Sequence, residues 1–368
     1  MTTDTDRTDQ PLPPTVISID AMGGDAGVSA IIDGIALSVT EHENIRFIVH
    51  GDSAEIQKSM SKHPAMAGLV DVRHADKVIA MDEKPARALR RGKDSSMWNA
   101  LKSIEDKEAA VVVSCGNTGA LMAISMLRLR KLPNVNRPAI AVLWPSRNPA
   151  GSNVLLDMGA DIKADPADLL QYGIMGASYA RNALGIDTPR VGLLNIGTED
   201  HKGRPELQDA AKLLRARQQP GNFEYIGFVE GSDMPANTVD VIVTDGFTGN
   251  VALKASEGTA KLVGEFLRDA FTYSPLAKLT AILARASLKR LKERADPRRG
   301  NGGVFLGLNG TVVKSHGSAD AVGVAAAIKL AFTLGQSGFS EKLAARVASG
   351  ATDSQNPAIQ DAVQDNEA

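Results

Sequence analysis

The sequence predicts an α/β protein with a Rossmann-like, three-layer fold around a mostly parallel sheet. Short β-rich segments alternate with longer helical segments, the pattern of a sheet whose strands are joined by helices. One strand segment, residues 109–113, is continuously apolar, which is typical of a strand covered by helices on both faces. Short turns rich in Gly, Asn, Asp and Thr end the strand segments, as expected where a strand passes into a helix.

The individual elements follow from local chemistry. Strands are expected where short apolar runs end at a turn, over residues 16–20, 45–49, 109–113, 139–143, 154–156, 191–195, 225–228 and 239–243. Helices are expected after the turn at 23–25 and over residues 94–106, 120–130, 165–184, 251–271 and 319–334. Pro166 suits the first turn of the helix expected over residues 165–184, and Gly185 is a natural stop after that helix.

The predicted domain plan is one large α/β domain with an extension at each end. Residues 1–14 are polar and Pro-rich, and residues 350–368 are acidic with little apolar content, so both are predicted to be disordered. Residues 15–349 form the domain, which is long enough for two lobes that share one sheet. Within it, residues 274–299 are predicted to be a protruding amphipathic helical segment.

Composition excludes several classes of protein. The 368 residues are 43% hydrophobic and 23% charged, with a net charge of −2, so binding to nucleic acid by bulk charge is not expected. One cysteine excludes an internal disulfide framework and a Cys-based zinc site. No basic, apolar leader and no apolar run of about 20 residues is present, which predicts a cytoplasmic protein.

The loops that end the strands carry most of the chemical signal. They combine glycines, which allow close backbone approach, with Asn, Asp and Thr, at residues 20–25, 114–119, 157–160, 195–200, 244–250 and 314–318. A helix that starts after such a loop aims its first N–H groups at the strand end, which favours an oxyanion or phosphate cradle. The alternative is that these residues only serve the turns that every such fold needs.

Other nucleotide-binding and hydrolytic motifs are absent. The first turn does not fit the dinucleotide fingerprint, and the sequence has no phosphate-loop lysine motif, no G-x-S-x-G elbow and no H-E-x-x-H pair. The six histidines are scattered, so no metal site is predicted. Cys115 follows a strand and could be a nucleophile, but a small buried residue in a tight turn is the favoured interpretation. Lys314 and His316, two residues apart, could face one anionic substrate, or they could be a surface charge and a capping residue.

The segment 274–299 differs in kind from the strand-end loops. Leu276, Leu279, Ile282 and Leu283 fall on one helical face, and bases greatly outnumber acids along the segment. This pattern is typical of contact with an anionic partner, such as a membrane surface or an acidic carrier protein. A core-facing helix with a solvated basic face is the alternative. A break is predicted near Ser287, where the apolar stripe is interrupted.

These loops, in this order, resemble the PlsX family, the acyl-carrier-protein:phosphate acyltransferases of bacterial phospholipid synthesis. The matching stretches span the chain from about residue 16 to about residue 334, at residues 19–25, 116–121, 136–139, 155–160, 191–203, 243–250 and 314–320. The resemblance implies a fold like that of the isocitrate/isopropylmalate dehydrogenases and phosphotransacetylases, a homodimer, and no cofactor. It also implies peripheral membrane association through the segment 274–299.

The reaction implied by the resemblance is reversible transfer of a fatty acyl group from acyl carrier protein to inorganic phosphate. The acyl phosphate product would supply a glycerol-3-phosphate acyltransferase. Two alternatives stay open: a phosphotransacetylase-like enzyme that uses acyl-coenzyme A, and a non-catalytic membrane-associated scaffold.

The resemblance also places roles on particular residues. Phosphate is assigned to the backbone of Gly116 to Gly119, to Asn117 and Thr118, and to Lys314. His316 is expected to polarise the thioester carbonyl or protonate the leaving thiolate. Catalytic roles are predicted for Lys314, His316, Asn117 and Asp245, and substrate contacts for Gly116, Thr118, Gly119, Asp157, Asn195, Glu199, Lys202, Thr248 and Asn250.

Overall fold

The computed structural model describes residues 13–295 and 302–352, with the helix ends at 291–295 and 349–352 and Pro220 described by their backbone only. Eleven strands form one sheet. They are β1 (Thr15–Asp20), β2 (Ile45–Gly51), β3 (Val70–His74), β4 (Val111–Ser114), β5 (Ala139–Pro145), β6 (Ser152–Leu156), β7 (Arg190–Leu194), β8 (Glu224–Val229), β9 (Val241–Val243), β10 (Gly303–Leu306) and β11 (Thr311–Lys314).

Helices connect most of these strands. They are α1 (Gly27–Glu41), α2 (Ser53–Met60), α3 (Pro85–Arg91), α4 (Ser96–Glu105), α5 (Thr118–Arg128), α6 (Pro166–Leu184), α7 (Pro205–Gly221), α8 (Gly246–Thr272), α9 (Pro275–Leu283), α10 (Arg285–Ala295), α11 (Ala321–Gln336) and α12 (Phe339–Thr352). Several begin as their sequences predict. Ser95 accepts a hydrogen bond from the backbone N–H of Trp98, and Asp165 forms a reciprocal capping box with Asp168.

The sheet reverses direction in its middle. The strand order is β3-β2-β1-β4-β11-β10-β5-β6-β9-β7-β8. The first five strands are mutually parallel, and so are the last four. Between them, β10 pairs antiparallel with both β11 and β5, and β5 pairs antiparallel with β6. The two parallel halves therefore point in opposite directions, and their strands end at opposite edges of the sheet.

Helices cover both faces of the sheet, which gives three layers. Side chains alternate along each strand, so Val111 and Val113 belong to one buried cluster and Val112 belongs to the other. The first cluster packs β-strand residues against α1, α6, α7, α11 and α12. The second packs the opposite face against α3, α4, α5 and the first part of α8. The prediction of an α/β fold with a large, mostly parallel sheet is confirmed.

Sequence patterns located most of the strands and missed the central reversal. Every predicted strand is present within a few residues of its expected bounds. The missed elements include β10 and β11, which are four residues long and lie in a region where the chain has no long apolar run. The antiparallel pairing of β10 with β5 joins residues that lie far apart in the sequence, so no local pattern reveals it.

An exposed helical arm, residues 256–295, leaves the sheet. Leu253 is the last buried residue of α8, and the helix runs on to Thr272 with no buried side chain beyond that point. The arm then turns into α9 and α10, which have a break between them at Ala284. A break near Ser287 was predicted, so its existence is confirmed and its position is three residues earlier. The last part of the segment, residues 296–299, lies outside the described residues.

The two ends of the chain bear on the domain plan. The first strand begins at Thr15, and residues 1–12 of the predicted N-terminal extension lie outside the described residues. At the other end α12 continues to Thr352, so residues 350–352 are helical and not part of the predicted tail. In the described ranges no single helix is long and apolar enough to cross a membrane, and only the bent pair α11 and α12 meets that test jointly.

Candidate functional site

The predicted site residues fall into two groups because the sheet reverses. The first strand-end cluster lies where β1, β4 and β11 end, and holds residues 20–25, 114–119 and 314–318. The second strand-end cluster lies where β6, β7 and β9 end, and holds residues 157–161, 195–204 and 244–250. Asp157, Asn195, Glu199 and Lys202 lie at strand ends of the second cluster and not beside Lys314, and their contacts with substrate stay a prediction. They end strands that run the other way, with β10 and β5 in between.

A buried carboxylate organises the first strand-end cluster. Asp20 is 1% exposed, and its oxygens accept hydrogen bonds from Ser96 Oγ at 2.6 Å and Ser114 Oγ at 2.7 Å. The backbone N–H groups of Met22 and Gly23 also donate to it. Burial raises the pKa of Asp20, and these donors partly offset that effect. Asp20 thus ties the ends of β1 and β4 to the start of α4.

Glycine is required where the three loops of this cluster meet. Gly24 has φ +96°, and a side chain there would lie 2.8 Å from the Gly317 carbonyl oxygen. The neighbouring Asp25 N–H donates to that same carbonyl at 2.7 Å. At Gly23 an added Cβ would lie 2.7 Å from the backbone nitrogen of Gly116. The glycines therefore let the loops after β1, β4 and β11 pack directly against one another.

The loop after β4 leads into the first turn of α5. Asn117 caps this helix, because its Oδ1 accepts from the Ala120 N–H at 2.9 Å. Its Nδ2 donates to the carbonyls of Met81 and Glu83, at 2.6 and 3.0 Å. This geometry supports a loop-holding role for Asn117, and its catalytic role stays a prediction. Thr118 and Gly119 are exposed in the first turn, where N–H groups lack intrahelical partners and favour an anion.

Lys314 ends β11 beside this loop. Its Nζ donates to the Ser315 carbonyl and, at 3.4 Å, to the Cys115 carbonyl. Burial lowers the pKa of Lys314, the nearby carboxylates of Asp20 and Asp25 counteract this, and Lys254 adds to the lowering. A partly desolvated ammonium next to a helix N-terminus is an arrangement that favours an oxyanion.

His316 is exposed two residues further on. The Ser318 backbone N–H donates to His316 Nδ1 at 3.3 Å, and Ser318 Oγ lies 2.8 Å from the same atom. Because Nδ1 accepts a backbone hydrogen bond, the ring proton of the neutral imidazole resides on Nε2. This tautomer presents Nε2–H as the group that can donate to a developing negative charge.

Cys115 is not a nucleophile in this arrangement. Its side chain is 2% exposed, and burial raises the pKa of its thiol to about 11. The favoured interpretation of a small buried residue is confirmed. The first strand-end cluster therefore offers an anion-binding environment and a proton donor.

In the second strand-end cluster, neighbouring groups of the protein donate hydrogen bonds to the buried carboxylates. Asp157 is fully buried, and its oxygens accept from the backbone N–H groups of Ile140, Gly159, Ala160 and Asp161. Burial raises the pKa of Asp157, and these hydrogen bonds work against that rise. The peptide bond between Leu156 and Asp157 is cis. With its lone pairs occupied by backbone donors, Asp157 holds the loop after β6 together.

Asp245 is likewise occupied. It caps α8 by accepting from the Thr248 N–H at 2.8 Å and from Thr248 Oγ1 at 3.0 Å, and it pairs with Arg204. Burial opposes its charge, but the Thr248 and Arg204 hydrogen bonds prevail and hold the pKa of Asp245 below its usual range. The structure does not bring Asp245 to Lys314, because β10, β5 and β6 separate the strands that they follow.

The remaining members of this cluster are one buried amide and three exposed side chains. Asn195 is buried and its Nδ2 donates to the Lys202 carbonyl at 3.0 Å. Glu199 and Lys202 form an exposed ion pair at 2.8 Å. Their interaction lowers the pKa of Glu199 and raises the pKa of Lys202. Asn250 is exposed one helical turn into α8, and an added Cβ at Gly159 would contact it at 3.5 Å.

One element connects the two clusters. The helix α8 starts at Asp245 in the second cluster. Lys254, in its third turn, is near enough to Lys314 of the first cluster to lower the pKa of that lysine.

Sequence reasoning missed Asp20, Ser96 and Ser114 as site residues. Asp20 and Ser114 stood in the strand-end loops, but the capping position of Ser95 and Ser96 gave no sign of the long-range bond to Asp20. Arg204 was missed because its ion pair with Asp245 joins residues 41 positions apart, which no local pattern reveals. In the described part of the chain, no three His, Cys, Asp or Glu side chains are grouped so as to hold a metal ion.

Solved structures share this architecture. A phosphotransacetylase from Streptococcus pyogenes superposes with a TM-score of 0.58 at 15% identity, covering 88% of this chain and 94% of that one. At this identity the likeness concerns the fold alone. The fold defines a mixed α/β protein with a large central sheet, similar in architecture to the phosphotransacetylases.

Sequence comparison identifies the family. The profile of the family described as "Fatty acid synthesis protein" matches residues 15–342. A phosphate acyltransferase from Paracoccus denitrificans is 64% identical over 333 residues, covering 90% of both chains. One from Cereibacter sphaeroides is 61% identical over 350 residues, covering 95% of this chain and 94% of that relative. The chain belongs to this fatty acid synthesis family, the PlsX family, and the prediction of an acyltransferase is confirmed.

Proposed function

We propose that this enzyme transfers a fatty acyl group from acyl carrier protein to inorganic phosphate, as the first strand-end cluster and the family assignment support. One observation carries the placement of the reaction. Lys314, His316 and the N-terminus of α5 meet where the loops after β1, β4 and β11 pack together, and the lone cysteine among them is buried with a raised thiol pKa. Such a site favours an anionic nucleophile that arrives as a substrate.

Phosphate itself supplies the nucleophile. A phosphate oxygen attacks the thioester carbonyl, and the tetrahedral intermediate collapses by breaking the C–S bond. The products are acyl phosphate and the carrier thiolate, which takes up a proton. The protein must hold phosphate against the carbonyl and stabilise the oxyanion, contributions that are large without any covalent enzyme intermediate.

The residues divide this work by their surroundings. Lys314, the backbone of residues 116–119 and the first turn of α5 bind phosphate. His316 donates from Nε2 to the carbonyl oxygen or to the leaving sulfur, because its Nδ1 accepts from the Ser318 N–H. Asp20 ties the loops after β1 and β4 to the start of α4.

The reaction is tested by phosphate-dependent release of thiol from long-chain acyl carrier protein, with acyl phosphate trapped by hydroxylamine. Turnover that requires phosphate is expected. The same assay with acyl-coenzyme A separates the carrier-dependent enzyme from one that accepts coenzyme A equally. Absence of turnover with both donors, from folded protein, would contradict the proposal and favour a non-catalytic scaffold.

Peripheral membrane association is proposed for the arm, with a cytoplasmic location. Leu276, Leu279, Ile282 and Leu283 on α9 are between 54% and 81% exposed, and basic residues follow on α10. An apolar face next to bases favours insertion into an anionic bilayer surface. Leu279→Asp combined with Ile282→Asp is expected to abolish sedimentation with anionic vesicles while thiol release in solution persists. Unchanged sedimentation would contradict it.

A homodimer is proposed from α8. Leu262, Val263, Phe266 and Leu267 are exposed on one stretch of this helix, and a second copy of the chain would cover them. Mass measurement in solution tests this: a dimer is expected, and Phe266→Glu is expected to weaken it. The downstream partner proposed is a glycerol-3-phosphate acyltransferase that consumes the acyl phosphate.

The finer features of the fold and domain plan are also proposals. The reversal of the sheet between two parallel halves supports an architecture of the isocitrate/isopropylmalate dehydrogenase kind. We place the domain at residues 15–349, with extensions at 1–14 and at the acidic C-terminus. Limited proteolysis is expected to remove both extensions and leave the sheet-bearing fragment intact.

A further inference from the structure

A short basic segment lies beside the first strand-end cluster. Residues 84–93, Lys-Pro-Ala-Arg-Ala-Leu-Arg-Arg-Gly-Lys, carry five bases and no acid in a chain of net charge −2. All five basic side chains are exposed. Arg87 pairs with Glu83 at 3.3 Å, whereas no described carboxylate lies within 4 Å of Lys84, Arg90, Arg91 or Lys93. Acids flank the segment at positions 82, 83 and 94, but four of its five bases have no ion-pair partner among the described residues.

The basic segment is bonded to the first strand-end cluster on its N-terminal side. Asn117 donates to the carbonyls of Met81 and Glu83, just before α3. Gly119 lies so close to Pro85 that an added Cβ would be 2.8 Å from Pro85 Cγ. The first turn of α3 therefore packs directly on the first turn of α5.

It is bonded on its C-terminal side as well. The Ser96 backbone N–H donates to the Lys77 carbonyl at 3.0 Å, and Ser96 Oγ donates to Asp20 at 2.6 Å. The side chain of Lys77 donates to the Lys93 carbonyl at 3.3 Å. A partner held by the basic segment would thus be fixed relative to Asp20 and the loop after β4.

We propose that the basic segment, residues 84–93, is the docking surface for the acidic acyl carrier protein. This inference rests on the proposed function. The carrier is a macromolecule that must place its thioester at the first strand-end cluster, so its docking surface has to adjoin that cluster. Complementary charge steers such encounters and fixes the orientation of the partner.

The chemistry of the segment favours a protein partner over a membrane. Ala88 is buried and Leu89 packs against the second core cluster, so α3 shows solvent no large apolar side chain to insert into lipid. The exposed leucines and isoleucine of α9 are on the arm instead. Membrane contact and carrier contact are therefore separated on the surface.

The test is the double variant Arg90→Glu, Arg91→Glu. Both residues are exposed and make no described ion pair, so the variant is expected to fold, with a melting temperature lowered slightly because two charges in the last turn of α3 are reversed. The KM for acyl carrier protein is expected to rise about ten-fold or more, because like charges oppose each other across the interface. The KM for phosphate is expected to stay the same, and the salt dependence of kcat/KM to flatten.

A matched control places the same charge change elsewhere. Lys58 and Lys62, in and after α2 in the opposite helix layer, are also exposed, and their replacement by Glu is expected to leave the KM for the carrier within two-fold. A wild-type KM and salt dependence in the Arg90, Arg91 variant would overturn the proposal. So would loss of binding to anionic vesicles with the carrier KM unchanged, which would identify a membrane contact.

Direct binding separates this inference from the proposed reaction. Carrier protein without an acyl group is titrated into the wild-type enzyme and both double variants by calorimetry. Weakened binding only in the Arg90, Arg91 variant supports the docking surface even if the wild-type enzyme shows no phosphate-dependent turnover. Equal binding by all three proteins would overturn it whatever the turnover.

Discussion

The two strand-end clusters are built from similar residues and do different things. Both combine glycines with buried aspartates at the ends of parallel strands. In the second cluster, Asp157 is held by backbone N–H groups and Asp245 by Thr248 and Arg204, so both carboxylates have partners within the protein. In the first cluster, the Asp20 carboxylate accepts a hydrogen bond from Ser96, whereas Lys314 and His316 lie at the surface of the loops.

This difference indicates how a substrate-binding site can be told from a turn that serves only the fold. A turn consumes its polar groups internally, because buried donors and acceptors that lack partners are costly. A site keeps charged groups next to helix N–H groups that local structure cannot satisfy. This criterion favours the first cluster as the place of the proposed reaction, and the roles of the residues in both clusters stay predictions.

The largest effect is expected at Lys314. Lys314→Met removes the cation from the anion site and is expected to lower kcat/KM by about 10²–10³-fold, the loss typical of one oxyanion-stabilising donor. The comparison is Lys202→Met in the second cluster, which is expected to lie within a few-fold of wild type because Lys202 pairs with exposed Glu199. A similar loss of kcat/KM in both variants would contradict the assignment of different roles to the two clusters.

Substitution of Asp157 is expected to lower the stability of the fold and to leave the rate of acyl transfer by the folded enzyme unchanged. Asp157→Ala leaves four backbone N–H groups, one buried and three part-buried, without their acceptor, which is expected to cost about 3 kcal/mol of unfolding free energy. Urea denaturation measures the loss, and thiol release is normalised to the folded fraction. Normalised activity more than ten-fold below wild type would assign Asp157 to the site after all.

Asp20 is expected to act on the reaction through Lys314. Its negative charge raises the pKa of Lys314, so Asp20→Asn removes that support and lowers the Lys314 pKa further. The alkaline limb of the pH–rate profile is expected to move to lower pH, with a fall of about ten-fold in kcat/KM. A lower rate with an unshifted profile would indicate a structural role alone.

The smallest effect is expected from the Arg204 pair with Asp245. The folded-state pKa of Asp245 is depressed, so its contribution to stability is present above the unfolded pKa of about 3.9 and is lost as the pH falls through the folded value. Arg204→Gln is expected to cost about 1 kcal/mol at pH 7 and progressively less below about pH 4. A difference from wild type that stays constant down to pH 2 would contradict this.

The sequence predicted the first cluster better than the second. Lys314, His316 and residues 116–119 could be found because their residue types suit an anion, whatever their neighbours. The positions of Asp157 and Asp245 relative to Lys314 could not be predicted, because the sequence does not show that the strands end at two opposite edges. The reversal is produced by β10 and β5, whose antiparallel pairing joins residues far apart in the chain. Long-range bonds such as Ser96 to Asp20 were invisible for the same reason.

The burial of Cys115 gives the protein a built-in reporter. It is the one thiol of the chain, it lies among the loops of the first strand-end cluster, and its raised pKa leaves almost no thiolate at neutral pH. A thiol reagent can therefore modify it only when those loops open. The labelling rate of the unmodified enzyme reads out the opening free energy of the cluster, and bound phosphate should slow it.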